Sequence, residues 1–289
     1  NADLIVGSEF GLRLYAYATQ DIYEDLEAEL TLYVWASNVE GEKTADNATA
    51  VLPMTYNDDF AYYADFMGFS VRELTDDFSV QVVAKSGDTE LAKSAVSAQN
   101  VVAMLTEQYE DEKDPLTKQL LVDMLNYGAA AQIRFNYGTH DLANAKLTEV
   151  QKGYATQTTP EMSNDVVKGT NYQATRFILE SRIQIQLAFK GLTTDMYAIY
   201  TYTDFKGRPQ TVRVEGADFV MISGKPAGVE LTNLVYADAR NLVTVTVYNA
   251  DGTVHGEAIE SMESCAFRGN ADVFIELMKF ADSAKAYLA

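Results

Sequence analysis

The chain has 289 residues, a formal net charge of −20, a single cysteine and two histidines. One cysteine excludes an internal disulfide framework, and no run approaches the roughly 18 apolar residues of a membrane-spanning helix. The acidic balance repels phosphate backbones and anionic lipid, so neither a nucleic-acid partner nor membrane insertion is expected. The excess is uneven, because residues 1–150 hold 26 acidic and only 9 basic side chains. The first residues, NADLIVGSEF, lack the basic and apolar regions of a signal peptide and read as the start of a mature or excised segment.

In chain order, residues 10–18 (FGLRLYAYA) alternate as a half-buried strand, with Leu12 and Leu14 on the core face and Arg13, Tyr15 and Tyr17 on the other. Residues 29–36 alternate again, placing Leu30, Leu32 and Val34 inward and Thr31, Tyr33 and Trp35 outward. Residues 50–83 supply two or three more strands, and a hairpin follows around Ser86, Gly87 and Asp88. Asp114 as N-cap and Pro115 at the first helical position predict a helix from there, ended by Gly138. Its small residues at 128–131 suit close packing on a sheet. The polar stretch TQTTPEMSNDVVKGTN predicts a boundary. Beyond it, Ile183, Ile185 and Leu187 alternate with Gln184 and Gln186, residues 196–205 read as a further strand, 206–224 as a turn and two strands, and 241–260 as a hairpin with Asp251 and Gly252 at its turn. A last helix, capped by Asn270, runs to the end.

Three blocks occur twice in the same order. ELTLYVWASNVEG (29–41) matches DMYAIYTYTDFKG (195–207), FSVQVVAKSGDT (78–89) matches LVTVTVYNADGT (242–253), and LLVDMLNYGAAAQIRF (120–135) matches VFIELMKFADSAKAYL (273–288). The expected fold is therefore mainly β with helices: two tandem, related antiparallel β-sandwich lobes, each closed by a C-terminal α-helix. The expected division is a first lobe at 1–155, a linker at 156–170 and a second lobe at 171–289.

Signals for catalysis are sparse. The two histidines fall in different halves, and neither a CxxC, HExxH, EF-hand, GxSxG nor glycine-rich phosphate loop is present. Acidic clusters at Asn57-Asp58-Asp59 and Asp76-Asp77 offer oxygen ligands to calcium, but a solvated turn explains them as well, and no metal or cofactor is expected. Cys265 reads as a small buried residue. The expected protein is not an enzyme. Outward-facing aromatics are the stronger signal, since a flat ring stacks on the C–H face of a sugar while neighbouring amides, acids or arginines bind its hydroxyls. The candidate ligand-binding residues on this ground are Trp35, Tyr33, Tyr15, Tyr17, Arg13, Tyr197, Gln184 and Gln186.

The segment DMLNYGAAAQIRFNYGTHDLAN (123–144) resembles a recurring segment of large, secreted, modular surface proteins of gut Firmicutes such as Ruminococcus relatives. The bilobed arrangement resembles the second starch-binding domain of a starch adherence system protein of the amylosome type. That resemblance implies a cell-surface module of a larger multi-domain protein that binds a polysaccharide, an α-1,4-glucan such as amylopectin, in a groove between lobes. The alternative expectation is a structural or adhesive surface module that binds another protein.

Overall fold

Alternating apolar residues make each strand two-faced, and such strands bury one face by pairing into sheets that stack. The computed structural model describes residues 2–6, 9–17, 30–57, 61–84, 90–108, 114–179 and 183–289. In the first half, β1 (Ala2–Val6), β2 (Phe10–Tyr17), β3 (Leu30–Trp35), β4 (Ala50–Pro53), β5 (Thr55–Asn57), β6 (Ala61–Phe69), β7 (Phe78–Ala84) and β8 (Glu90–Val96) form two antiparallel sheets, ordered β1-β2-β6-β5 and β4-β3-β7-β8. In the second half, β9 (Val167–Lys168), β10 (Tyr172–Leu179), β11 (Ile183–Phe189), β12 (Tyr197–Thr203), β13 (Pro209–Glu215), β14 (Val220–Ile222), β15 (Lys225–Leu231), β16 (Val243–Tyr248) and β17 (Val254–Glu260) form sheets ordered β10-β11-β15-β14 and β13-β12-β16-β17-β9. Subtracting nine from each label of β10–β17 reproduces the strand order of the first half. The repeated sequence blocks thus occupy matching topological positions, β3 with β12 and β7 with β16.

The helices follow the same plan. Strands β8 and β17 lead into α1 (Ala98–Gln108) and α4 (Met262–Gly269), and then come the long α2 (Pro115–Phe135) and α5 (Asp272–Leu288), with a short α3 (Glu149–Lys152) between the halves. The fold is mainly β with helices, as the alternation predicts. The strand β1 and the helix α1 have no counterpart in the sequence reading, because Ala2–Val6 and Ala98–Gln108 carry too short a pattern to separate from their surroundings. The tip of the predicted hairpin at Ser86, Gly87 and Asp88 lies outside the described residues.

Within the first half the sheets face each other through Phe66 of β6 and Phe78 of β7, whose ring centroids are 4.9 Å apart. The halves share one hydrophobic core. Helices α2 and α5 meet where Tyr127 stacks on Phe280 at 6.0 Å, and Phe10 and Tyr236 pack against Phe280 at 5.6 and 4.9 Å. Tyr127 and Phe280 are the same position of the repeated block, so the helices touch through equivalent residues. The predicted small face of α2 lies against the 71–74 turn instead of a sheet: a Cβ on Gly128 would sit 2.6 Å from Leu74 Cδ1. The predicted linker is tied down on both sides. Ser163 donates to Glu263 of α4, and Val167–Lys168 adds an edge strand to β17.

Asp114 caps α2 as expected, accepting from the backbone N–H groups of Leu116 and Thr117. Two end signals differ from the reading. Helix α2 stops at Asn136 (φ 52°) before Gly138, and Asn270 (φ 43°) terminates α4, while Ala271 is the N-cap of α5. Asparagine enters the left-handed region more readily than other residues with a Cβ, and so it substitutes for glycine at a helix end.

After β15 a 3-10 turn (Tyr236–Asp238) holds the loop that follows β12: buried Asp238 accepts from Phe205 N at 2.7 Å and Val235 N at 3.3 Å. Burial, helped by the nearby Asp204, raises the Asp238 pKa against those hydrogen bonds. A raised folded-state pKa contributes stability that is complete below the unfolded value, about pH 4, and is lost as pH rises through the folded value. Asp238→Asn cannot charge. Its melting temperature, measured by scanning fluorimetry over a pH series, is therefore expected to rise relative to wild type as pH rises from there. A constant difference across the series would refute this account.

Candidate functional site

Antiparallel register sets which outward residues become neighbours. On β2, Phe10, Leu12 and Leu14 are buried, which turns Arg13, Tyr15 and Tyr17 to the outer face. Strand β6 does the same with Ala64 and Phe66 inward and Tyr63 and Asp65 outward. Pairing aligns three rows: Asp3, Arg13 and Asp65; then Tyr15, Tyr63 and Thr55; then Tyr17, Ala61 and Asn57. One sheet face therefore carries three tyrosines beside an acid–arginine–acid row.

The row is internally organised. Arg13 donates through Nε and Nη2 to the two Asp65 oxygens at 2.7 and 2.9 Å, and its guanidinium sits 4.5 Å from the Tyr63 ring centroid. The Tyr15 hydroxyl donates to Asp3 at 2.8 Å. Arg13 holds the Asp65 carboxyl below its ordinary range, so it is an acceptor at neutral pH. Burial, followed by Asp3, pushes the Tyr15 phenol up, and it stays a donor. Tyr17 is 62 % exposed at the end of its strand.

Over the β1 edge this face meets a cleft of about 500 Å³ between β1, the first turns of α2 and the last turn of α5. Leu4, Val6, Leu121 and Leu288 line its apolar part, and Asp3 and Arg13 belong to both cleft and platform. The cleft takes residues from both halves.

Of the eight sequence candidates, Arg13, Tyr15 and Tyr17 come together here, and the other five lie on three other sheets. Trp35 is a correction. Its outward parity is right, yet it is 2 % exposed, because the turn at residues 44–47 folds over it. The indole N–H donates to Thr44 O at 3.0 Å and Asn47 Oδ1 at 2.9 Å, and Tyr33 stacks on the ring at 5.9 Å. Trp35 has no ring face left for a ligand, and half-buried Tyr33 is partly engaged by it. Tyr197 stacks on Tyr248 at 5.0 Å and is capped by Arg213 at 3.7 Å, on the outer face of the five-stranded sheet. Gln186 donates to Glu230 at 3.0 Å, and Gln184 pairs with Ile178 on the neighbouring strand.

Sequence reasoning missed Asp3, Tyr63 and Asp65. For Tyr63 and Asp65 the signal was present in the alternation of AYYADF, but the register of β6 against β2 was needed to use it, and Asp3 needed the register of β1 against β2. The second half shows what is special here. Its matching row is Arg176, Gln186 and Glu230, and where the first half has Tyr15 and Tyr63 it has Ala188 and Gly228. The platform of tyrosines belongs to one copy of the duplicated unit.

One acidic cluster has another use. Asp76 accepts from the Tyr137 hydroxyl and from Ser37, Asp58 and Asp59 lie outside the described residues, and no metal-ligating cluster is found among the described residues. Cys265 is buried, and burial raises its thiol pKa far above the ordinary range, which disfavours a thiolate. No helix among the described residues is long and apolar enough to cross a membrane.

No family model and no curated protein matches the chain. Among solved structures, an endonuclease/exonuclease/phosphatase from Beutenbergia cavernae DSM 12333 aligns at 10% identity over 86% of this chain and 89% of that chain, with a TM-score of 0.17. A likeness that low carries no argument about fold or activity.

Proposed function

We propose that the chain is a non-catalytic carbohydrate-binding module for an α-1,4-glucan, carried within a larger secreted surface protein. The observation that supports this reading is the outer face of the β1-β2-β6-β5 sheet: three tyrosines next to a fixed Asp3–Arg13–Asp65 row. The rings offer flat apolar faces to sugar C–H groups. Arg13 and Asp65 hold each other, the Tyr15 hydroxyl holds Asp3, and together these groups suit adjacent hydroxyl pairs, which need both acceptors and donors. Asp3 and Arg13 line the cleft as well as the platform, so a chain that turns over the β1 edge would reach both, which suits a curved glucan more than a flat crystalline face. Each subsite is weak, so affinity should grow with chain length.

Native gel electrophoresis through amylopectin tests the reading, with xylan and glucomannan gels as controls. The protein is expected to be retarded by amylopectin alone. Tyr17→Ala is expected to weaken binding by about 1–1.5 kcal/mol, roughly tenfold in Kd. Trp35→Ala is expected to keep the wild-type Kd and lower the melting temperature, since the indole is a covered packing element. Equal mobility in every gel would remove the sugar reading and leave the adhesive, protein-binding one.

A further inference from the structure

Gln119 and Asp123 stand four residues apart on α2 and therefore on one face of it. Thr156, in the segment that leaves α3, lies against both. Its hydroxyl donates to Asp123 Oδ2 at 2.7 Å, and its backbone N–H donates to Asp123 Oδ1 at 2.8 Å. The Gln119 carboxamide reaches the same hydroxyl oxygen, with Nε2 2.6 Å from Oγ1. Asp123 has no solvent exposure. The nucleophile thus touches both the base and the acyl group, with the carboxamide carbon one bond beyond the contacting nitrogen.

We propose that Thr156 and Gln119 form an intramolecular ester bond, with Asp123 as the base. Asp123 takes the Thr156 hydroxyl proton, and Oγ1 attacks Gln119 Cδ. The tetrahedral adduct collapses by breaking the Cδ–Nε2 bond. Asp123 returns the proton to the departing nitrogen, which leaves as ammonia. The step needs no oxidant or cofactor. An oriented hydroxyl beside a base and an acyl carbon has the high effective molarity that makes such unactivated groups react. Burial raises the proton affinity of Asp123, which favours its acting as a base. Other threonine–carboxylate contacts differ. Thr117 with Asp114 is a helix cap; Thr253 meets both Asp251 and, at 3.0 Å, the Asn249 carboxamide, but in an exposed turn whose acid and hydroxyl are open to water, unlike the buried Asp123. The bond would fasten the segment between the halves to α2, and it is independent of any ligand.

Intact-protein mass spectrometry of the purified chain is the test. The expected mass is below the sequence mass by one ammonia, and tandem spectra of a digest should join the peptides that contain Gln119 and Thr156. Thr156→Ala should restore the sequence mass, whereas Thr156→Ser, which keeps a hydroxyl, should retain the deficit. A wild-type chain at its full sequence mass overturns the proposal and leaves a hydrogen-bonded clasp, and this reading does not depend on any variant folding. A deficit that persists in Thr156→Ala, or that maps to an asparagine succinimide, overturns it equally.

Discussion

Phe280→Ala is expected to destabilise the protein by about 3–5 kcal/mol. Phe280 is fully buried, and its ring touches Phe10 of β2, Tyr127 of α2 and Tyr236 of the turn after β15. Those partners belong to different parts of the chain, each anchored by its own sheet or helix. They cannot all close on the space that a missing ring leaves, and the cavity term is therefore large. Urea denaturation followed by Trp35 fluorescence and by circular dichroism measures the effect. Trp35 reports from the first half, far along the sequence from the substitution, so a matching loss in both signals would show that the two halves unfold together. Phe267→Ala provides the contrast. Phe267 is 46 % exposed, and its loss is expected to stay within about 0.5 kcal/mol. Similar effects from the two substitutions would show that the aromatic junction is not what joins the halves.

Arg268→Ala is expected to cost a comparable 3–5 kcal/mol, for a different reason. Glu260, at the end of β17, is completely buried. Its carboxylate accepts from Arg268 Nη2 at 2.6 Å and Nη1 at 3.3 Å and from Ser261 N at 3.0 Å. Removing the guanidinium strands a negative charge without its counter-ion, and that desolvation penalty exceeds the value of the pair itself. Combining Arg268→Ala with Glu260→Gln removes the stranded charge while keeping an acceptor for Ser261 N. The double variant is expected to be more stable than Arg268→Ala alone. Thermal melts of the two variants decide this, and a double variant no better than the single one would locate the loss in packing.

Much of this fold was legible in one sequence because its signals are local. The parity of Phe10, Leu12 and Leu14 and of Leu30, Leu32 and Val34 named the core faces correctly, since side chains alternate along any strand. Asp114 followed by Pro115 marked the start of α2 for an equally local reason. Helix ends were less legible, because Asn136 and Asn270 compete with nearby glycines for the left-handed position. The candidate site was half legible. Arg13, Tyr15 and Tyr17 were readable from parity on β2, whereas Tyr63, Asp65 and Asp3 needed pairing across more than one strand. Trp35 shows the limit most clearly. Parity predicts the face a residue points to, and says nothing of a turn that later folds over that face.

By itself the sequence determined a mainly β chain with alternating faces, a duplicated unit and two matched helices, since each rests on period, composition or self-similarity within a short window. The tertiary structure decided the rest. Register gathered Asp3, Arg13, Tyr15, Tyr63 and Asp65 into one platform, the packing of Tyr127 on Phe280 merged the two units around one core, and the turn at residues 44–47 removed Trp35 from the surface. Those outcomes depend on contacts between residues distant in sequence, whose energies arise only when the chain has closed on itself.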